Sequence, residues 1–136
     1  MKNYFLLILF SVIFCLISCN KAEENDRFEL LTTPLWQSDS LLVNGLEAGG
    51  QGQILEKFNG TAKFNRDATG YFGQYTGSWR FADDRNQIII TTDSLPIPLT
   101  TLIRELTSTS LKITTAYPDQ TNPSETMNIR MTFVAK

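Results

Sequence analysis

Hydrophobic residues follow two different patterns along this chain. Residues 4–17 form a nearly unbroken apolar run, with Lys2 before it and a strongly polar stretch, residues 20–27, after it. A run of this length is short for a bilayer span and is typical of a secretory signal peptide. The alternative is a single transmembrane anchor, which would have to end by about residue 18 and would lie at the lower limit of length.

From Pro34 onward, apolar residues come in short β-branched and aromatic groups separated by turn residues, which is the pattern of β-strands. The last group is the clearest because four apolar residues alternate strictly with polar ones: Met127, Ile129, Met131 and Phe133. The predicted strands cover residues 35–43, 53–64 (one bent strand or a hairpin about Asn59-Gly60), 69–75 (interrupted by Gly70 and Gly73, which indicate bulges or tight bends), 77–81, 87–92, 99–106, 110–117 and 127–133.

About eight short strands with no long helix predict an all-β fold. We expect a small antiparallel up-and-down β-barrel, with a small β-sandwich as the alternative. Closure is favoured because it removes exposed sheet edges. An eight-stranded barrel is filled by side chains or holds one small ligand, and the many large apolar residues favour a filled interior. Residues 20–33 have the composition of a polar tether, with a helical turn possible near Phe28.

Charge and composition exclude several classes of protein. Loss of residues 1–18 removes Lys2 and leaves 11 basic against 14 acidic side chains, a charge of −3, so nothing favours nucleic-acid binding. The chain has no histidine, which excludes Ser-His-Asp and Cys-His nucleophiles and the usual zinc sites. We therefore expect no metal or cofactor.

Other catalytic patterns are weak. The acidic residues are scattered, and Asp83-Asp84 lies in an expected turn, where solvated side chains are the simpler interpretation. The glycines between Gly45 and Gly52 match no phosphate-binding loop. We predict that the chain is not an enzyme.

The end of the apolar run, Leu16-Ile17-Ser18-Cys19, resembles the lipobox of bacterial lipoproteins. The resemblance implies cleavage before Cys19 and acylation of Cys19 with three chains, which together anchor a protein stably. It also leaves the mature domain without a disulfide, since Cys15 departs with the signal. The implied organisation is a signal peptide over 1–18, a lipidated polar tether over 19–33 and a barrel domain over 34–136.

Several phrases in the barrel region resemble the lipocalin-like domain of small lipoproteins from the Bacteroidetes. They are the early Trp36, the stretch 64–69 (FNRDAT), Gly77-Ser78-Trp79, the isoleucines 88–90 and the stretch 103–113. The chain departs from the family where Ala68 replaces a turn glycine, so we expect that turn not to need a positive φ. Residues 20–24 also resemble the acidic surface-export signal of that phylum, although a generic polar tether explains them equally well.

The resemblance implies a protein of the cell envelope, lipid-anchored in the outer membrane and periplasmic or surface-exposed. Its partners would be the membrane, through Cys19, and a small apolar ligand carried or sensed in the barrel. The alternative is a structural accessory that binds an envelope protein or glycan by its outer face. The ligand-binding residues proposed from the inward pattern are Trp36, Trp79, Phe81, Met131 and Phe133. The resemblance to lipocalins implies that Arg130 stacks over Trp36 at the closed end; the alternative is a solvated or ion-paired arginine on the surface.

Overall fold

The computed structural model describes residues 26–136, so the predicted signal peptide, Cys19 and residues 20–25 lie outside the described residues. The described chain forms a short helix, a 3-10 turn and one antiparallel sheet. In chain order these are α1 (26–32), β1 (Trp36–Val43), β2 (Leu46–Glu47), a 3-10 helix (Glu56–Phe58), β3 (Thr61–Phe64), β4 (Thr69–Phe72), β5 (Tyr75–Ala82), β6 (Gln87–Thr92), β7 (Leu99–Leu106), β8 (Ser110–Pro118) and β9 (Thr126–Ala135).

Eight of the described strands close into a barrel, and β2 adds only a short hairpin to the end of β1. From β3 to β9 each strand pairs with the next, and β1 closes the ring by pairing with β9 from Trp36–Ala135 to Val43–Ile129. On its other side β1 pairs with β3 through Trp36 and Gln37 alone. The predicted up-and-down barrel is confirmed, and the architecture is consistent with a lipocalin-like fold. Within residues 26–136, no helix is long and apolar enough to cross a bilayer.

The barrel interior is a packed core built from alternate positions of its strands. The four apolar residues of β9 are all at most 7% exposed, as their spacing predicts. In β6, Ile88 and Ile90 are buried and Ile89 is half-exposed, so this strand alternates and is not buried on both faces. Side chains therefore fill most of the barrel, as an eight-stranded ring allows.

The two ends of the barrel differ in how they are covered. At one end, here named the closed end, α1 contacts the turns that precede β4 and β6. Arg66 pairs with Glu29, and Arg27 Nε donates to the Arg85 carbonyl at 3.1 Å. At the opposite end, named the open end, lie residues 44–60 and the loops 73–74, 93–98 and 119–125. Any site at the open end is therefore remote from α1.

The helix α1 is part of the folded unit, although its residues have the composition of a tether. Leu31 is fully buried, and its carbonyl accepts a hydrogen bond from Trp36 Nε1 at 3.0 Å. Lys63 Nζ donates to the carbonyls of residues 32–34, which covers the carbonyl end of the helix. Arg66 forms a bidentate pair with Glu29 at 2.7 and 2.8 Å, and this pairing lowers the pKa of the Glu29 carboxyl. Folded structure thus extends upstream of Pro34.

Two segments differ from the predicted strands. Residues 53–60 are neither a bent strand nor a hairpin at Asn59-Gly60: they hold the 3-10 helix, and β3 begins only at Thr61. The stretch 69–75 divides at Gly73, where a tight bend is expected: this glycine has a φ of +61° and makes the turn between β4 and β5. In residues 53–60, by contrast, backbone contacts with residues distant in the sequence override the local turn preference.

The expectation for Ala68 is wrong, because this residue has a φ of +70°. Its turn holds the indole of Trp79, whose Nε1 donates to the Asn65 carbonyl at 3.0 Å, while Trp79 N donates to the Ala68 carbonyl at 2.8 Å. A left-handed backbone costs a non-glycine residue roughly 1–2 kcal/mol. The turn is therefore imposed by its contacts with β5 despite the alanine.

We expect Ala68→Gly to stabilise the protein by about 0.5–1 kcal/mol, because relief of the left-handed strain exceeds the added entropy of the unfolded chain. Urea denaturation followed by tryptophan fluorescence measures the change. Ala116→Gly is the matched control: it lies in the interior of β8, where glycine lowers stability. A loss of stability in Ala68→Gly comparable to that control would contradict the prediction.

Candidate functional site

A cavity of about 310 Å³ lies at the open end of the barrel. Its floor consists of inward side chains from the ends of β7, β8 and β9, and its walls come from the surrounding loops. Large apolar and aromatic side chains in the lining include Leu55, Phe58, Tyr75, Leu95, Leu99, Tyr117, Met127 and Ile129. The surface of this pocket is therefore mainly apolar, with a few polar groups at its rim.

One side of the cavity is formed by residues 48–60, here named the covering segment. Leu55 and Phe58 anchor it, because both are buried and Phe58 packs on the Tyr75 ring with centroids 4.6 Å apart. Backbone hydrogen bonds tie the segment to the barrel: Ala48 N donates to the Leu41 carbonyl at 2.8 Å. At its other end, the Lys57 carbonyl accepts from the amide of residue 74 at 2.7 Å. The covering segment is thus a defined wall of the cavity.

The end of the covering segment is also fastened to β1. Ser38 Oγ donates to Asn59 Oδ1 at 2.8 Å and accepts from Gly60 N at 2.9 Å, and Ser38 N donates to the Gly60 carbonyl at 2.9 Å. The register of β1 against β9 shifts between Ser38 and Ser40, at a β-bulge. These bonds explain why Asn59-Gly60 joins the covering segment to β3 and does not form a hairpin turn.

Tyr117 lines the cavity, although its hydroxyl oxygen is itself buried, with less than 1 Å² of accessible surface. Its side chain is 6% exposed, and its hydroxyl has no hydrogen-bond partner among residues 26–136. The neighbouring Tyr75 has its pKa raised, first by burial and then by the charge that Tyr117 would carry, so its phenol is protonated at neutral pH. The hydroxyl of Thr92 is also buried without a partner in the described chain, but Thr92 does not line the cavity.

The rim carries charges of both signs and exposed apolar groups. Lys57 and Asp119 both line the cavity, and the Thr121 hydroxyl and backbone N–H lower the pKa of the Asp119 carboxyl and keep it ionised. Large apolar side chains are also exposed at this end: Leu46 at 74%, Ile54 at 56% and Ile97 at 44%. Three of the four large apolar side chains that are exposed among the described residues therefore lie in the hairpin and loops of the open end.

The five ligand-binding residues proposed from the sequence do not line this cavity. Trp36 is fully buried at the closed end, and Met131 and Phe133 lie in the core at 2% and 4% exposure. Trp79 packs edge-to-face on Phe64 and on Phe81, with centroids 5.5 and 5.4 Å apart. Trp36, Trp79, Met131 and Phe133 are therefore part of the packed core, and Phe81 is partly buried against it.

Trp79 and Phe81 also border a shallow depression of about 490 Å³ beside α1. Arg66 lies 5.3 Å from the Phe28 ring centroid, and Arg85 lies 5.5 Å from that of Phe81. These cation–π contacts and the Arg66–Glu29 pair hold α1 and the 83–86 turn on the barrel. A ligand-binding role of Trp79 and Phe81 at this depression stays a prediction.

The position of Arg130 decides between the two placements expected for its side chain. It faces outward on β9 between Leu42 and Thr114, while Trp36 is fully buried inside, so the two do not stack. With Arg104 it borders a groove of about 540 Å³ across the outer face of β1, β9, β8 and β7, here named the outer groove. The described residues that line this groove include no acidic side chain.

Comparison with known proteins assigns no family, since no protein-family model matches the chain and no curated protein matches it. Nor do residues 26–136 hold a group of three or more His, Cys, Asp or Glu side chains that could bind a metal. The described residues do form two concave features that could bind a partner or ligand, the open-end cavity and the outer groove.

Sequence reasoning missed most of the cavity. Met127 and Ile129 are expected from their alternation to face inward, and both line the cavity. Tyr117 continues the alternation of Leu111 and Ile113 along β8, so the same pattern could have identified it as a lining residue. Leu55 and Leu95 lie in loops without periodicity, so no pattern in the sequence identifies them as lining residues.

Proposed function

We propose that this chain is a lipid-anchored extracytoplasmic protein that binds a small apolar ligand in the open-end cavity and acts by binding, not by catalysis. The observation that carries the proposal is the 310 Å³ cavity with its apolar wall. Ligand sites in proteins are typically concave, mainly apolar and about 300–1,000 Å³ in volume, so this cavity suits a compact ligand. The resemblance of residues 16–19 to the lipobox of bacterial lipoproteins supports the lipid anchor, and the resemblance of the barrel phrases to lipocalin-like domains supports a binding role.

The helix α1, which follows the proposed anchor in the chain, and the cavity lie at opposite ends of the barrel. Six residues separate Cys19 from Asp26, where the description of α1 begins, and an extended chain spans at most about 3.6 Å per residue. A lipid on Cys19 would hold the closed end near the membrane and leave the cavity facing away from it. The ligand would then be exchanged with the aqueous phase or with a second protein.

Anchoring is tested in the native envelope with the substitution Cys19→Ala. We expect the wild-type protein to be extracted with the membrane fraction and to carry the mass of a triacylated cysteine, and the variant to lose both properties. Membrane association of the variant equal to that of the wild type would contradict the lipid anchor.

Ligand binding is tested by filling the cavity with Leu95→Trp. Leu95 lines the cavity and is partly buried, so an indole at this position occupies the space of the ligand. We expect the affinity for N-phenyl-1-naphthylamine, a neutral apolar fluorophore, to fall at least about tenfold, the effect of losing roughly 1.4 kcal/mol. Fluorescence titration of the folded protein measures it.

Ile97→Trp is the matched control for this experiment. Ile97 lies in the same loop, is 44% exposed and does not line the cavity, so its substitution adds the same ring outside the site. We expect wild-type affinity for this variant. Equal binding by all three proteins, or no binding by the wild type, would overturn the proposed site.

The outer groove favours a second candidate function, an accessory of the envelope that binds an acidic glycan or protein by its outer face. Arg104 and Arg130 both border the groove, and Arg104 Nε donates to Thr114 Oγ1 at 3.0 Å, which fixes its direction. Crosslinking in cells tests it: the substitutions Arg104→Glu and Arg130→Glu should abolish capture of a partner that the wild type captures. Unchanged capture excludes the groove as the binding surface.

A further inference from the structure

The outer groove follows one row of cross-strand neighbours around the barrel. In register from β6 to β1, and all lining the groove, these are Gln87, Leu102, Thr114, Arg130 and Leu42. Neighbouring strands lie about 4.8 Å apart, so the row is roughly 19 Å long. The two leucines are half-buried and provide apolar surface within the groove, whereas its two cations, Arg104 and Arg130, are exposed.

The two arginines of the groove have no anionic partner in the described chain. Neither forms an ion pair with a described residue, and Glu105, which follows Arg104 in the sequence, pairs instead with Lys112 at 2.6 Å. Arg104 Nε donates to Thr114 Oγ1 at 3.0 Å, and Thr114 is the β8 neighbour of Arg130 in the sheet register. The two arginines therefore flank Thr114 from β7 and β9, and an acidic segment laid across it meets both charges.

One end of this row lies beside the beginning of α1. Gln87 follows Asn86, whose Oδ1 accepts a hydrogen bond at 3.2 Å from Arg27 Nη2, in the first turn of the helix. The chain that precedes α1 therefore joins the fold beside the Gln87 end of the groove. Its residues 20–25 have the sequence Asn-Lys-Ala-Glu-Glu-Asn and are here named the acidic segment. Six residues extend over at most about 22 Å, enough to follow the row of roughly 19 Å.

We infer that the acidic segment binds in the outer groove of its own chain, with Glu23 and Glu24 paired to Arg104 and Arg130. The charges are complementary, since the described lining has no acidic side chain and the segment has two adjacent carboxylates. Exposed ion pairs contribute little when the two partners are separate molecules. Covalent attachment beside the groove changes this balance, because it gives the segment an effective concentration on the order of millimolar.

This contact gives the outer groove an occupant from the same chain. The inference goes beyond the proposed ligand cavity, which lies at the open end and does not depend on the acidic segment. A partner that binds the groove, as in the second candidate function, must first displace the segment. The segment thus keeps the groove closed to acidic molecules that bind more weakly than it does.

A photo-crosslinker within the acidic segment tests the contact in the full-length protein in its native envelope. Ala22 is replaced by p-benzoylphenylalanine, which leaves Glu23 and Glu24 in place. After irradiation and digestion, mass spectrometry identifies the residues that are joined and whether they belong to one chain. We expect crosslinks within one chain to residues of the groove, such as Leu102 and Thr114.

Charge reversal separates recognition of the segment from mere proximity. In Arg104→Glu/Arg130→Glu we expect the yield of groove crosslinks to fall at least about fivefold, because both ion pairs become repulsive. Arg80→Glu/Lys136→Glu is the matched control: it makes the same change of net charge with two exposed residues that do not line the groove. This control should keep the wild-type yield.

A variant with the charges exchanged completes the test. When Glu23→Arg and Glu24→Arg are added to Arg104→Glu/Arg130→Glu, opposite charges face each other again, and the yield should return to within about twofold of wild type. The inference is overturned if the wild-type segment crosslinks only elsewhere, only to a second copy, or not at all. A groove crosslink that survives charge reversal, or that the exchanged charges do not restore, overturns it as well. None of these outcomes bears on the open-end cavity, which binding of N-phenyl-1-naphthylamine tests separately.

Discussion

Replacement of Trp36 by alanine is expected to cost about 3–5 kcal/mol of folding free energy, the range for removal of a large aromatic side chain from a packed core. Trp36 is fully buried and is where β1 pairs with β3 and β9 at the same time, through Ala62 and Ala135. Both partners are small, so the indole occupies the space between them. Its removal leaves a cavity where the barrel closes.

The indole also ties α1 to the barrel, because Trp36 Nε1 donates to the Leu31 carbonyl. Trp36→Phe separates the two contributions, since it keeps an aromatic ring and loses the hydrogen bond, for a cost of about 1 kcal/mol plus part of the packing. Urea denaturation monitored by circular dichroism measures both variants, with Leu46→Ala, at a 74% exposed position, as a control expected within about 0.5 kcal/mol of wild type. A loss below about 1 kcal/mol in Trp36→Ala would contradict this view of barrel closure.

The strands with clear alternation could be predicted from the sequence, and the reason is physical. In β9, Met127 through Phe133 alternate because one face of the strand meets the core and the other meets water, and burial acts on every second residue. The same holds for β6 and β8. Eight such segments with turn residues between them indicate a closed antiparallel sheet, which the structure confirms.

The loops at the open end could not be predicted in this way. Asn59-Gly60 is a favourable hairpin turn by local preference. In the folded protein, Ser38 bonds to both residues across a sequence separation of more than 20, and this tertiary contact decides the conformation. Ala68 is a similar case, because bonds from the Trp79 side chain and backbone hold its turn in a left-handed geometry.

The position of the candidate site could not be predicted from the alternation of apolar residues either. Alternation tells which residues face inward, but it does not tell at what depth each residue lies along the barrel axis. Trp36 and Phe133 face inward near the closed end, whereas Met127 and Ile129 face inward near the open end. The cavity exists only where the covering segment and the 93–98 loop leave space above these last positions, and neither loop has a periodic pattern.

The second large loss of folding free energy is expected for Gly73→Ala, because Gly73 lies in the turn that supports the covering segment. Its φ is +61°, and a Cβ at this position would overlap the Lys57 carbonyl oxygen and lie 2.8 Å from the Phe58 carbonyl carbon. All of these atoms belong to backbone, which cannot move aside as a flexible side chain does. Gly73→Ala should cost about 1–2 kcal/mol for the left-handed conformation and about 1–3 kcal/mol for the overlap, or roughly 2–5 kcal/mol in all.

Gly45→Ala is the matched control, because Gly45 has a φ of +81° and no atom within 4 Å of its added Cβ. It carries the conformational cost without the overlap, so about 1–2 kcal/mol is expected. The difference between the two variants measures how closely the β4–β5 turn fits against Lys57 and Phe58. Chemical denaturation of both proteins gives that difference.

The same pair of variants connects this fit to binding. Phe58 and Leu55 are held over the cavity by the contact with the β4–β5 turn, in which Lys57 accepts from the amide of residue 74. Displacement of this wall should weaken N-phenyl-1-naphthylamine binding several-fold in Gly73→Ala, measured where the variant is still folded, and leave Gly45→Ala at wild-type affinity. Equal affinity and equal stability of the two variants would show that the covering segment is not positioned by this turn, and the wall of the proposed site would then need another support.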